Sequence, residues 1–266
     1  MDSPATERRR DRRRRGRGLA VVGVLGELFL TAGVLVLLFL GWQLWLNDII
    51  VGNEQRDAAI EFAEELASAP PATPEPSAEP EPDAEPSEEP GLAEPVSTIS
   101  PVMNEGFATL YVPRFGADYV RVIGEGVSLS SVLNRSSLGV GHYPQTQLPG
   151  ELGNFALAAH RTTWGAPFGS IGELQLGDKI YVQTADGWYT YAFRNLEYVL
   201  PSGVGVLEPV PQAPGVPAGE RYITLTSCNP RFSASERIIA YGVLESWHPA
   251  AEGIPDELAA LQGGEA

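Results

Sequence analysis

From Leu19 to Leu46 the chain is apolar apart from Glu27, Thr31 and Gln43, and no other stretch restricts its possible folds so strongly. About 20 apolar residues in a helix span the hydrocarbon core of a bilayer, and lipid admits few other backbone conformations. Trp42 and Trp45, near the far end, suit the interfacial belt that aromatic rings favour. Glu27 lies in the first third of the span, close enough to the interface to snorkel. The stretch is long for the apolar region of a cleaved signal peptide, and no clear A-x-A site follows it. An uncleaved membrane anchor over residues 19–46 is therefore expected.

The flanks orient that anchor. Residues 1–18 contain eight arginines against Asp2, Glu7 and Asp11, whereas the whole chain has a net charge of −16. The sequence beyond the span is accordingly more acidic than the average. Arginines before the span and acids after it predict a cytoplasmic basic tail (1–18), with the remainder outside the cell. An acidic exterior also argues against nucleic acid as a partner.

Beyond the membrane, apolar residues at 59, 60, 62, 63 and 66 fit a short juxtamembrane helix within 47–69. From Pro70 to Pro95 there are nine prolines and eight acidic residues and no basic one. Such a composition buries no core and predicts a disordered linker over 70–105. In polyproline II form its proline-rich part reaches about 80 Å, as a spacer across a cell wall would; as a sequence it reads as a passive acidic linker without a binding role.

Residues 106–249 remain for one folded domain, followed by a tail, 250–266, with room for a short surface helix. Strands are expected over 107–113, 119–123 and 154–160. A hairpin is expected from 178–184 and 187–193 around Ala185-Asp186-Gly187, and two last strands over 221–227 and 237–247. Residues 128–133, with Ser128 as cap, read as a short helix, and 167–174 as a helical turn. Short strands at fairly even spacing, with few helices, predict a mainly β, antiparallel-rich closed barrel.

Cys228 is the only cysteine in the chain, so an exported domain has no internal disulfide. It ends the strand-like run Tyr222-Ile223-Thr224-Leu225-Thr226-Ser227 and precedes the turn signal Asn229-Pro230. A thiol at a strand end beside a loop is placed for nucleophilic chemistry, although a free cysteine is as often a buried structural one. Two further side chains share such positions. Arg237 opens the next apolar run, and a hairpin returns it alongside Cys228. His160 closes Asn154–Ala159 and precedes a polar loop. His142, in the turn-like Gly141-His142-Tyr143-Pro144, is a second rim candidate, and His248 lies before the tail. Each histidine and the arginine, taken alone, is more often structural or solvated than catalytic. No cluster of metal-ligating residues and no phosphate-cradling loop is read, and no cofactor is expected.

Taken together, Thr224-Leu225-Thr226-Ser227-Cys228, an arginine nine residues on, and Ala159-His160 upstream resemble the signature of the sortases. These are membrane-anchored cysteine transpeptidases of Gram-positive bacteria. Their usual Leu-x-Thr-Cys is departed from at Ser227, which keeps the hydroxyl. Gly139–Pro144 and Gly153–Thr163 are most similar to the class E sortases of high-GC actinobacteria. The resemblance spans roughly 106–247 and implies an eight-stranded sortase-type barrel with short helices.

The resemblance further implies that Cys228 attacks the carbonyl between Thr and Gly of a C-terminal sorting signal. His160 serves as general acid and then base, and Arg237 holds the oxyanion. The implied partners are surface proteins with a sorting signal, of Leu-Ala-x-Thr-Gly or Leu-Pro-x-Thr-Gly type, and an amine of a peptidoglycan precursor. Tyr143 is the candidate for the pocket at the second motif position, with Thr226, Ser227 and His142 lining the cleft. A pilin-polymerising sortase and a non-catalytic, membrane-tethered wall-binding barrel remain as alternatives. An L,D-transpeptidase does not, because no His-Gly precedes Cys228 in the motif that type requires.

Overall fold

The computed structural model describes residues 4–69 and 94–263; the proline-rich linker expected over 70–105 lies largely outside them. The chain divides between Asn47 and Asp48 into two compact units. The first holds helix α1 (Pro4–Gly41), which continues through one wide helical turn, Trp42–Leu46. Its segment Val22–Gly41 has a mean hydropathy of 2.3 and no buried residues, so it is long and apolar enough to cross a membrane.

The second unit is an eight-stranded closed barrel. Its strands are β1 (Gly106–Tyr111), β2 (Val120–Glu125), β3 (Gly139–His142), β4 (Gly153–Ala159), β5 (Lys179–Gln183), β6 (Gly187–Val199), β7 (Arg221–Asn229) and β8 (Glu236–Pro249). Round the barrel they run β1-β2-β3-β4-β7-β8-β6-β5, and β5 closes on β1. The β2–β3 and β4–β7 pairs are parallel and the others antiparallel.

Alternation fills the interior. Phe155 and Leu157 of β4, Ile223 and Leu225 of β7, and Ile238 and Ala240 of β8 point inward with Leu110, Ile180, Val182, Tyr189 and Tyr191, all essentially inaccessible. Each of the Leu, Ile, Val and Phe side chains among them contributes about 1.5–3 kcal/mol relative to exposure. One outer face is covered too. Ala59, Phe62 and Leu66 recur at helical spacing on α2 (Asn47–Ser68), which the sequence led one to expect as a short helix. Ala59 and Phe62 join Tyr111, Val120, Val122, Tyr181, Trp188 and Leu258 in a second apolar cluster. Leu258 comes from α3 (Asp256–Gly263), the short helix of the tail.

The turn after β2 follows its sequence: Ser128 caps Leu129–Leu133, its hydroxyl accepting the Ser131 N–H at 3.3 Å. Residues 139–142 differ from expectation. The turn-like reading of Gly141-His142 is corrected to strand β3, because two glycines in four residues hide the alternation that reveals a strand. Here pairing decides: β3 is held by β2 on one side and β4 on the other. A Cβ on Gly141 would lie 2.3 Å from the Gly126 carbonyl oxygen, so glycine there permits a close backbone approach.

Candidate active site

Three strand ends meet at one rim of the barrel. Because β4 and β7 are parallel neighbours with Ala158 opposite Thr226, the same register continued by two residues sets His160 alongside Cys228. On the other side of β7, Cys228 is the direct antiparallel partner of Arg237 at the start of β8. Cysteine, histidine and arginine thus arrive from three adjacent strands. Each is half-buried.

Polar contacts between the loops fix this rim. Ser227 donates its hydroxyl to the Ala159 carbonyl at 2.8 Å, joining the residues just before the cysteine and the histidine. Arg161 donates to Asn229 Oδ1 at 3.2 Å, joining the residues just after them. Asn229 donates in turn to Glu236 Oε2 at 2.9 Å, across to β8. The Arg237 guanidinium donates through Nη1 to the carbonyls of Ala234 and Glu236 at 3.0 and 2.9 Å, which ties one of its terminal nitrogens to the backbone at the β7–β8 turn.

His160 Nε2 lies 2.8 Å from Asn134 Oδ1. An amide oxygen only accepts, so in the neutral ring Nε2 carries the proton and Nδ1 is the basic nitrogen. Burial lowers the His160 pKa from its ordinary value, and the Asp48 carboxylate works against that shift. The ring is therefore neutral near pH 7 and free to accept a proton. Asn134 ends the helical turn 129–133 and carries no sequence signal that singles it out; its role comes from the fold.

The remaining sequence candidates separate into two groups. Tyr143 is half-buried, with its hydroxyl 3.3 Å from Thr226 Oγ1, and Thr226 also donates to the Leu157 carbonyl at 3.0 Å. These two, with Ser227, belong to the β4–β7 side of the rim. His142 does not. It is 1% exposed, with Nδ1 2.7 Å from Glu125 Oε2 and Nε2 3.0 Å from Thr146 Oγ1. Enclosed, and with both nitrogens engaged, it is a poor candidate for touching substrate and a good one for holding β2 to β3. His248 lies near the end of β8, half-buried, opposite Trp188.

Comparison with known proteins bears on the family and the fold. Residues 110–245 match the sortase domain. The chain belongs to the sortase family. It is 37% identical over 260 residues to Sortase SrtE1 of Streptomyces coelicolor, covering 95% of this chain and 66% of that protein. It is 32% identical to Sortase SrtE2 of the same organism, covering 88% and 87%. The chain thus spans slightly less than two thirds of the first relative's length and most of the second's. Among solved structures, Sortase E1 of Streptomyces coelicolor, with a tripeptide in its active site, matches with a TM-score of 0.53 at 40% identity over 60% of this chain and 99% of that one. The SrtF sortase of Corynebacterium diphtheriae matches with a TM-score of 0.56 at 30% identity, over 65% and 100%. The resemblance to class E sortases carried by Gly139–Pro144 and Gly153–Thr163 is borne out at the level of family and fold.

Proposed function

We propose that this sortase cleaves a Leu-Ala-x-Thr-Gly-like or Leu-Pro-x-Thr-Gly-like sorting signal between Thr and Gly and joins the protein to a cell-wall amine. The observation that carries the reading is the register of β4, β7 and β8, which brings His160, Cys228 and Arg237 to one rim.

Cys228 Sγ attacks the threonine carbonyl carbon as its proton passes to the neutral His160. As the S–C bond forms, the π electrons of the carbonyl move onto its oxygen, and the resulting oxyanion is stabilised by the always-charged, fork-shaped Arg237 guanidinium. The C–N bond then breaks, and His160 returns the proton to the departing glycine amine. A thioester to Cys228 remains. An incoming amine attacks it, loses a proton to His160, and the thiolate leaves and is reprotonated. Two easier steps replace one difficult one, and the ring alternates between base and acid.

Tyr143 and Thr226 form the wall that meets the second motif residue, where a phenol packs and hydrogen-bonds at once. The apolar helix Val22–Gly41 anchors the enzyme, with the basic tail in the cytoplasm and the barrel outside. Its partners there are surface proteins with a sorting signal and a peptidoglycan-precursor amine.

The test is a peptide panel with the full chain in detergent, comparing Leu-Ala-x-Thr-Gly and Leu-Pro-x-Thr-Gly with and without a glycine-based amine. Cleavage at Thr–Gly, lost in Cys228→Ala, supports the proposal. If both proteins leave both motifs intact, a tethered wall-binding barrel becomes the better account.

A further inference from the structure

The apolar stripe of α2 does not end at Ala59. One turn earlier, on the same face, stands Gln55, and it is 0% exposed. A fully buried amide is costly where its hydrogen bonds are not made, and in Gln55 only Nε2 finds partners while Oε1 has none, so the partners of Nε2 are informative. Gln55 Nε2 donates to the Trp164 carbonyl at 3.1 Å and to the Arg135 carbonyl at 3.2 Å. These two carbonyls flank the histidine's surroundings. Arg135 follows Asn134, which holds His160 Nε2, and Trp164 lies in the loop that leaves His160.

That loop needs holding. Thr163, Trp164, Gly165 and Ala166 are consecutive left-handed residues, with φ of 67°, 52°, 78° and 43°. Each non-glycine residue in that region costs about 1–2 kcal/mol, and such a run persists only where its surroundings impose it. Inside the loop, Ala166 N–H reaches the Thr163 carbonyl at 2.8 Å. The Ala166 carbonyl accepts the Gly169 N–H at 2.8 Å, and α2 adds two tethers: Gln55 on Trp164, and Asp48 Oδ2 accepting the Thr163 N–H at 3.0 Å. The barrel is shaped to admit the amide. A Cβ on Gly139 would lie 2.4 Å from Gln55 Nε2, and one on Gly165 would lie 2.6 Å from Gln55 Oε1. Both glycines have positive φ, so a side chain is excluded there twice over.

We infer that α2 is a working part of the active site, in which Gln55 is a positioning residue that sets His160 through Asn134 and the 163–166 turn. It touches neither substrate nor reacting atoms. A catalytic domain without this helix keeps Cys228, His160 and Arg237 but loses the clamp on the histidine. The inference rests on the transpeptidase reading for its kinetic readout, but not for its chemical one.

The experiment compares full-length wild type, Gln55→Met, Asn134→Ala and the double variant in lipid nanodiscs. Methionine keeps the volume and burial but cannot donate. Expected in Gln55→Met is a fall in kcat of about tenfold with KM unchanged, and little further fall when it is added to Asn134→Ala, since both act on one ring. Alkylation of Cys228 by iodoacetamide, which needs no sorting signal, is expected to slow in both single variants and in His160→Ala alike. Unchanged kcat and alkylation in Gln55→Met overturn the inference, and so does an effect that simply adds to that of Asn134→Ala. Should Gln55→Met not fold, Asp48→Ala removes the other tether from a less buried position, and wild-type kcat and alkylation in it overturn the inference equally. Wild type inert toward every peptide counts against the transpeptidase reading alone, and alkylation then decides the role of Gln55.

Discussion

Arg237 stands directly opposite Cys228 across the β7–β8 pair, while the strand on the other side of Cys228 delivers His160. Backbone pairing places Arg237 beside the nucleophile and the carbonyls of Ala234 and Glu236 hold its guanidinium, and a charged donor so fixed is preorganised for an oxyanion that exists only in the transition state. Arg237→Ala is therefore expected to lower kcat/KM by about 100- to 1000-fold. Arg237→Lys keeps the charge but not the fork, and recovers only part of that loss. Steady-state kinetics on a fluorogenic sorting peptide checks both; a fully active lysine variant would assign Arg237 a charge role alone.

His160 gives a pH prediction with a definite sign. Burial lowers its pKa, so the basic, neutral ring survives to lower pH than a free imidazole, and the acid limb of kcat/KM lies below the ordinary histidine value of about 6.5. The Asp48 carboxylate favours the protonated ring. Asp48→Asn keeps an acceptor for Thr163 but removes the charge, and is expected to move the acid limb lower still. A limb that stays in place or moves upward contradicts the assignment of that limb to His160.

His142 separates stability from turnover. Its ring and Glu125 are both buried, 1% and 9% exposed at the side chain, and 2.7 Å apart. Removing one partner strands the other, and His142→Ala should destabilise the barrel by about 3–5 kcal/mol. Urea unfolding measures the loss. Below the transition, KM for the sorting peptide should remain that of wild type; a raised KM would return His142 to the cleft.

Asn154, at 0% exposure, fastens the β6–β7 connection to the barrel. Its Nδ2 donates to the carbonyls of Val206 and Glu208 at 2.9 and 3.1 Å, and its Oδ1 accepts from Thr224 at 2.7 Å. Asn154→Ala leaves those groups without a partner and should cost about 3 kcal/mol in thermal or urea unfolding. Thr224→Val, which removes a single bond, should cost less. Equal losses would show that the Val206 and Glu208 contacts contribute little.

Much of this was legible in the sequence, for physical reasons. Ile223 and Leu225 alternate with Tyr222 and Thr224, so β7 declares itself and carries its cysteine to a strand end. The 187–193 segment and its turn do the same for the β5–β6 hairpin. Strand β3 was not legible, because Gly139 and Gly141 lack the side chains that carry alternation and only its neighbours make it a strand. His142 was misjudged for the same reason: a histidine among turn residues looks exposed, and only the fold encloses it with Glu125. Asn134, Asp48 and Gln55 escaped because their significance lies in contacts between segments far apart in the chain, and Gln55 sits on a helix whose neighbours Asn53, Glu54, Arg56 and Asp57 all suggest a solvated face.

The central claim is that Cys228 carries the acyl group from one peptide bond to another. The most direct measurement is mass spectrometry of the full chain with a Leu-Ala-x-Thr-Gly peptide, first without and then with a glycine-based amine. The account predicts an adduct on Cys228 equal to the peptide up to its threonine, which the amine converts to a joined product, with neither formed by Cys228→Ala. Cleavage that proceeds equally in Cys228→Ala, or a product cut anywhere but after threonine, would contradict it.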